Sequence, residues 1–201
     1  MVNAMKDIFI NKSYSFITKY RNLDHYNEVK IKYGLEVMYH FITKYTSIII
    51  LSILLNVHKE LLLLTLFYLP LRMFGHGIHS NSNLMCWITS IATMLLLSYT
   101  SKYIYINNLI IIFSFLVSGL SFILWAPSDT PSRPLINKRK RKNLKIKIIL
   151  LTITYIVLCF VYKNLSPYII ISLFIETINI NPYIYFINRV PRNNYIGIER
   201  S

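Results

Sequence analysis

One short stretch of this sequence gathers a thiol, two imidazoles and two backbone-permissive glycines: Arg72-Met73-Phe74-Gly75-His76-Gly77-Ile78-His79-Ser80-Asn81-Ser82-Asn83-Leu84-Met85-Cys86. A thiol becomes a nucleophile when an imidazole takes its proton or when a helix N-terminus stabilises the thiolate. Both aids are at hand here. Ser80 to Asn83 are all good N-cap types, so a helix starting among them carries Cys86 in about its first turn, where the dipole favours an anion. His79 then falls just outside that helix. On one straight helix the seven-residue spacing would leave His79 and Cys86 two turns and roughly 10 Å apart, too far for proton transfer. Direct contact therefore needs a bend, and the polar run Ser80 to Asn83 is where the chain can make it.

The elements that must position these residues are apolar helices. The chain has 201 residues, of which 54% are hydrophobic, and a mean hydropathy of +0.45, too apolar for an ordinary soluble fold. The fold class expected is all-α: a polytopic helical membrane protein with about six transmembrane or re-entrant helices, preceded by amphipathic N-terminal helix. It reads as a single integral membrane domain over 1–201, with a cytoplasmic-side amphipathic region at 1–44, membrane spans within 45–187 and a cytoplasmic tail at 188–201. The first thirty residues are mixed and polar, without the pattern of a signal peptide. A bilayer core of about 30 Å takes roughly 20 helical residues. Tyr45–Val57 reaches that length only by recruiting Val37–Lys44, and Leu61–Leu71 is shorter still. Leu84–Tyr99, Ile104–Trp125, Ile146–Tyr162 and Tyr168–Ile187 read as clearer spans.

The formal charge of +14 admits nucleic acid, an anionic membrane surface or an acidic partner, and its distribution decides between them. Basic residues alternate with apolar spans, which reports topology and leaves no need for nucleic acid. Arg133 and the run Lys138-Arg139-Lys140-Arg141-Lys142, with Lys145 and Lys147, read as a dense cytoplasmic loop. Counting spans back from it places Arg72 to Cys86 on the cytoplasmic face. With six spans both termini are cytoplasmic too, and only Lys59, Lys102 and Lys163 lie outside. Cys86 and Cys159 fit neither a disulfide framework nor a zinc motif. Cys159, inside an apolar span, reads as a small buried hydrophobe. His76, His79 and Cys86 do not make a common zinc spacing and have no evident fourth ligand, so no metal and no cofactor is expected.

The stretch resembles the accessory gene regulator protein B (AgrB) family of membrane peptidases, which process the precursor of a cyclic quorum-sensing peptide. The family pattern of an arginine, a glycine pair, a histidine two residues past the second glycine and a cysteine seven past the histidine falls on Arg72, Gly77, His79 and Cys86. Tyr33-Gly34-Leu35-Glu36 is similar to the family's start of its first span. Ala126-Pro127-Ser128-Asp129-Thr130-Pro131 with Pro134 resembles the segment after its fourth, and the basic run follows. Where the family has two adjacent glycines, this chain has His76-Gly77, with its other glycine at Gly75. The resemblance implies a cysteine endopeptidase in the cell membrane, with Cys86 as nucleophile and His79 as base. Its substrate would be a short precursor peptide with an amphipathic N-terminal and an acidic C-terminal part, cut through a thioester and closed into a thiolactone. It also implies a homodimer.

Arg72, Gly77, Glu36 and Ser80 are expected to bind substrate or support the site, Arg72 by meeting the acidic tail or by bracing its own loop. For a carboxylate that orients His79, Glu36 and Asp129 lie near cytoplasmic span ends. Glu176 stands inside the last span, where an ionisable group is costly; Asn179 or a neighbouring helix is its bland partner. The basic run can gather an acidic peptide or anionic lipid at the inner leaflet. Two other classes remain open at this level, a non-catalytic peptide exporter and a membrane sensor subunit; both make Cys86 dispensable.

Overall fold

The computed structural model describes residues 2–18, 24–78, 83–131, 134–192 and 194. The elements are α1 (Val2–Thr18), α2 (His25–Leu54), α3 (His58–Gly75), α4 (Asn83–Ser101), α5 (Asn108–Trp125), α6 (Lys138–Val161), a 3-10 turn (Lys163–Leu165), α7 (Ser166–Ile180) and α8 (Pro182–Ile187). The protein is all-α, with helices of the length and composition of a membrane protein. Among the described residues, α2, α5 and α6 are each long and apolar enough to cross a bilayer, and α4 carries a shorter apolar stretch over Met85–Ser101. The outward residues of α5 are themselves apolar, Leu109, Phe113, Leu116, Leu120 and Leu124 among them, as a lipid-facing helix requires.

The chain divides into two compact units, Met1–Leu54 and Leu55–Ser201. In the first, α1 lies along α2, with the Phe9 and Tyr39 rings 5.4 Å apart and Lys6 Nζ 2.8 Å from Glu36. The apolar stretch from Tyr45 is continuous with Val37–Lys44 in the one helix α2.

The second unit is built around α7. This helix is apolar nearly all round and buries Ile169, Ile170, Leu173, Ile175 and Ile180 together with Ser172 and Glu176. Leu71 of α3, Ile111, Phe115 and Phe122 of α5, and Ile148, Tyr155 and Cys159 of α6 complete the core. Two polar ties hold α3 in it. Pro70 removes a rung from the hydrogen-bond ladder of α3. Beside that break the Tyr155 hydroxyl donates to Phe67 O at 2.8 Å, and one turn earlier Ser172 Oγ, which donates to Tyr168 O at 2.7 Å, lies 3.3 Å from Leu64 O. Tyr155→Phe is therefore expected to lower stability by about 1 kcal/mol, the net worth of one buried hydrogen bond, seen as a lower unfolding midpoint of the detergent-solubilised protein.

Two expectations are corrected. The span expected over Tyr168–Ile187 is broken: α7 stops at Ile180, and Asn181 takes an extended ψ of 128° and caps α8 by accepting from Tyr183 N. Pro182 is the cause, because its ring disfavours helical geometry in the residue before it and suits the first position of a new helix. At 15 residues, α7 is about 22 Å long, short of a full crossing. The basic run expected as a loop is instead the opening of α6, whose cap is Asn137, accepting from Lys140 N. Arg141 folds back to donate to Leu135 O and Ile136 O, leaving Lys138, Arg139, Lys140 and Lys142 exposed.

Candidate functional site

α3 delivers Arg72 to the edge of the second unit's core and then ends. Gly75 is its last residue because the next two leave the helical region: His76 takes φ +63° and Gly77 φ +88°. From there the chain runs on to Ile78, and its backbone groups pair with the segment after α5 and with α7. The Gly77 N–H donates to Ser128 O at 3.0 Å, the Ser128 N–H donates back to Gly75 O at 3.0 Å, and the Ile78 N–H donates to Asn179 O at 3.0 Å. The Arg72 guanidinium is the third partner, donating through Nη1 to His76 O and through Nη2 to Ile78 O. A planar fork can reach two carbonyls at once in this way, and an ammonium cannot match it.

Close packing dictates the small residues. A Cβ on Gly75 would fall on Glu176 Oε1 and within 3.1 Å of Ile148 Cδ1, so α3 and α7 approach only because the side chain is missing. Glu176 is fully buried, with Oε2 3.8 Å from Arg72 Nη1. Ser128, also fully buried, donates from Oγ to Trp125 O at 2.8 Å and lies 3.2 Å from Ile180 O. Arg192 donates to Trp125 O and to Ser128 Oγ. The segment after α5 is thereby tied to both α7 and the tail.

Cys86 is the fourth residue of α4, in its first turn, half-buried and free of any disulfide. The expected placement of a thiol at a helix N-terminus is what the fold provides. Cys159, by contrast, is buried in the α6 core. His79 and Ser80, the expected base and its neighbour, lie outside the described residues. Ile78 is the last described residue before them and Asn83 the first after. Arg72 and Gly77 are brought together, and of the two roles expected of Arg72 the bracing of its own loop is present in the hydrogen bonds above.

Of the carboxylates, Glu36 is engaged within the first unit by Lys6 at 2.8 Å and lies 3.8 Å from His40. The same contact holds the Lys6 ammonium above its ordinary pKa. Asp129 accepts from the backbone and side-chain amides of Asn194 at 3.2 and 3.3 Å. Glu176 faces Arg72, while the Asn179 amide donates to Tyr68 Oη at 3.0 Å. Sequence reasoning missed the pinning roles of Gly75, Ser128 and Asn179. Only the ionisable Glu176 in an apolar span signalled that something is held there.

His76 stands where a second glycine would suit the backbone better. A non-glycine residue at its dihedrals costs on the order of 1–3 kcal/mol, and a β-branched side chain fits worse. His76→Gly is expected to keep the segment's geometry and the protein's activity, whereas His76→Val is expected to lose most of both, measured by the unfolding midpoint and by turnover of the natural substrate.

Comparison with known proteins gives the family. The sequence model of accessory gene regulator B matches residues 10–180. The chain is similar to an AgrB-like protein of Listeria welshimeri, at 29% identity over 97% of this chain and 94% of the relative. It is likewise similar to an AgrB-like protein of Clostridium acetobutylicum, at 25% identity over 92% and 90%. Accessory gene regulator protein B of Staphylococcus aureus is 26% identical over 88% of this chain and 94% of its own length. No solved structure matches the chain. With its matched region running from α1 to the end of α7, around the pinned loop and the helix that carries Cys86, the chain belongs to the accessory gene regulator B family.

Proposed function

We propose that this protein is a membrane-embedded cysteine endopeptidase that cuts the C-terminal part from a short autoinducing-peptide precursor in quorum sensing. What supports the reading is Cys86 in the first turn of α4, together with the backbone that precedes His79 in the sequence, which is held by Ser128, Asn179 and Arg72. A helix N-terminus favours the thiolate, and a held segment just before the histidine supports a base kept in position.

In this reading His79 takes the Cys86 proton and the thiolate adds to the scissile carbonyl carbon, giving an oxyanion. The oxyanion collapses, the C–N bond breaks, and the imidazolium returns its proton to the leaving amine, so that the released piece is the precursor's C-terminal tail and the rest is held on Cys86 as a thioester. A thiolate within the retained peptide then attacks that thioester. Cys86 leaves as thiolate, and the peptide closes into a thiolactone. One thioester replaces another, so the exchange is nearly isoenergetic and conserves the activation that hydrolysis would lose.

The charge pattern supports a site at the cytoplasmic face. α6 opens with a basic cluster and has no acidic residue in its first turn, although cations are disfavoured at a helix N-terminus by about 0.3–1 kcal/mol each. An anion bound there relieves that cost, which supports a precursor with an acidic C-terminal part and contact with anionic lipid headgroups.

The test is to incubate the purified full-length protein in lipid vesicles with the precursor encoded beside it. Mass spectrometry is expected to find a tail fragment, a thioester adduct on Cys86 that hydroxylamine removes, and a product one water lighter than the open peptide. Release of the tail with no adduct on Cys86 at any time of reaction would overturn the reading.

A further inference from the structure

Glu176 is an ionisable group with no function in the scheme above, and its surroundings are unusual. It lies mid-way along α7, fully buried, and neither carboxylate oxygen has a hydrogen-bond partner among the described residues. An isolated carboxylate in so apolar a core is costly, and such a group persists where a fixed opposite charge offsets it. That charge is Arg72, 3.8 Å away, whose remaining donors hold His76 O and Ile78 O. The backbone has been cleared for the contact: Gly75 presents no Cβ where Glu176 Oε1 lies.

We infer that Glu176 is a positioning residue: as the counter-charge of Arg72 it fixes the guanidinium, and through it the Gly75–Ile78 backbone that leads into His79. The inference rests on the peptidase reading for its consequence on the reaction. The path has no slack in it. Arg72 is only one-fifth exposed, Gly77 is packed against Arg72 Nη1 at 2.6 Å measured from where its Cβ would be, and the far edge of the segment is fixed by Ser128 and Asn179. Without the carboxylate, the guanidinium loses its electrostatic partner and turns toward water, releasing both carbonyls.

The experiment uses the full-length protein in vesicles with Cys159 replaced by alanine, so that only Cys86 takes up iodoacetamide. Glu176→Gln is expected to lower kcat at least tenfold with KM within about twofold, inside the roughly 10²-fold range that a misplaced site costs. It is also expected to slow Cys86 alkylation at near-neutral pH toward the rate of His79→Ala. Glu176→Asp is expected to restore part of both. In an Arg72→Met background, Glu176→Gln is expected to cost nothing more, because the two residues act as one unit. Unchanged kcat and alkylation in Glu176→Gln, or losses that multiply in the double variant, would overturn the inference. Should His79→Ala itself leave alkylation and cleavage unchanged, the peptidase reading falls. Non-additivity of Arg72 and Glu176 in the unfolding midpoint then still decides whether the pair holds the loop.

Discussion

Precursor cleavage is expected to fall by roughly 10³-fold or more when Cys86 becomes alanine, and to be unchanged when Cys159 becomes alanine. The contrast follows from where the two thiols sit. Cys86 is half-buried in the first turn of α4, where unpaired backbone N–H groups and the helix dipole favour a thiolate. Cys159 is fully buried among Ile148, Tyr155 and Ile169, reachable by neither peptide nor water, so its loss is a matter of packing alone. Cys86→Ser is expected to fare little better than alanine. A serine hydroxyl needs a stronger base than one imidazole to become an alkoxide. His79→Ala, which keeps the thiol, is expected to lose on the order of 10²- to 10⁴-fold, the usual worth of a general base. Single-turnover release of the tail fragment by purified variants measures all four. A Cys86→Ala protein that still cuts at more than a few per cent of the parent rate would remove the nucleophile from the scheme.

Much of this arrangement is legible in the sequence because apolar runs and caps are local signals. The thiol at a helix start could be read from Ser80 to Asn83, since N-cap residue types report on the backbone a few positions away. The extra break at Asn181 is equally local, for Pro182 states it outright, but the apolar composition on both sides suggests one span. The opening of α6 is ambiguous for a related reason: a dense run of cations suggests a loop although lysine and arginine are good helix formers. The pinning of the Gly75–Ile78 segment could not be read at all. Its partners, Ser128 and Asn179, lie far along the chain, and they contribute backbone carbonyls, which carry no residue signature. Glu176 was conspicuous as an ionisable group in an apolar stretch, yet only packing of α3 on α7 could name Arg72 as its partner.

Gly77→Ala is expected to lower cleavage about 10²-fold while leaving the protein folded in the membrane. Two separate costs act at this residue. Its φ of +88° lies outside the conformations an L side chain takes readily, at on the order of 1–3 kcal/mol. An added Cβ would also stand 2.6 Å from Arg72 Nη1 and 2.8 Å from Asn179 O. Neither neighbour can yield cheaply: Asn179 O is backbone, and it accepts from the Ile78 N–H; Arg72 is held by two carbonyls and faces Glu176. The loop itself must therefore move, and because His79 comes two residues later a shift of about 1 Å there is enough for a 10²-fold loss. The core of the second unit does not depend on the loop, so the unfolding midpoint is expected to drop far less than activity does. Gly119→Ala supplies the contrast, since a Cβ at that position on α5 meets nothing within 4 Å, and both cleavage and unfolding are expected to match the parent protein. Equal activity in the Gly77 and Gly119 variants would mean that the loop does not set the geometry of the reaction.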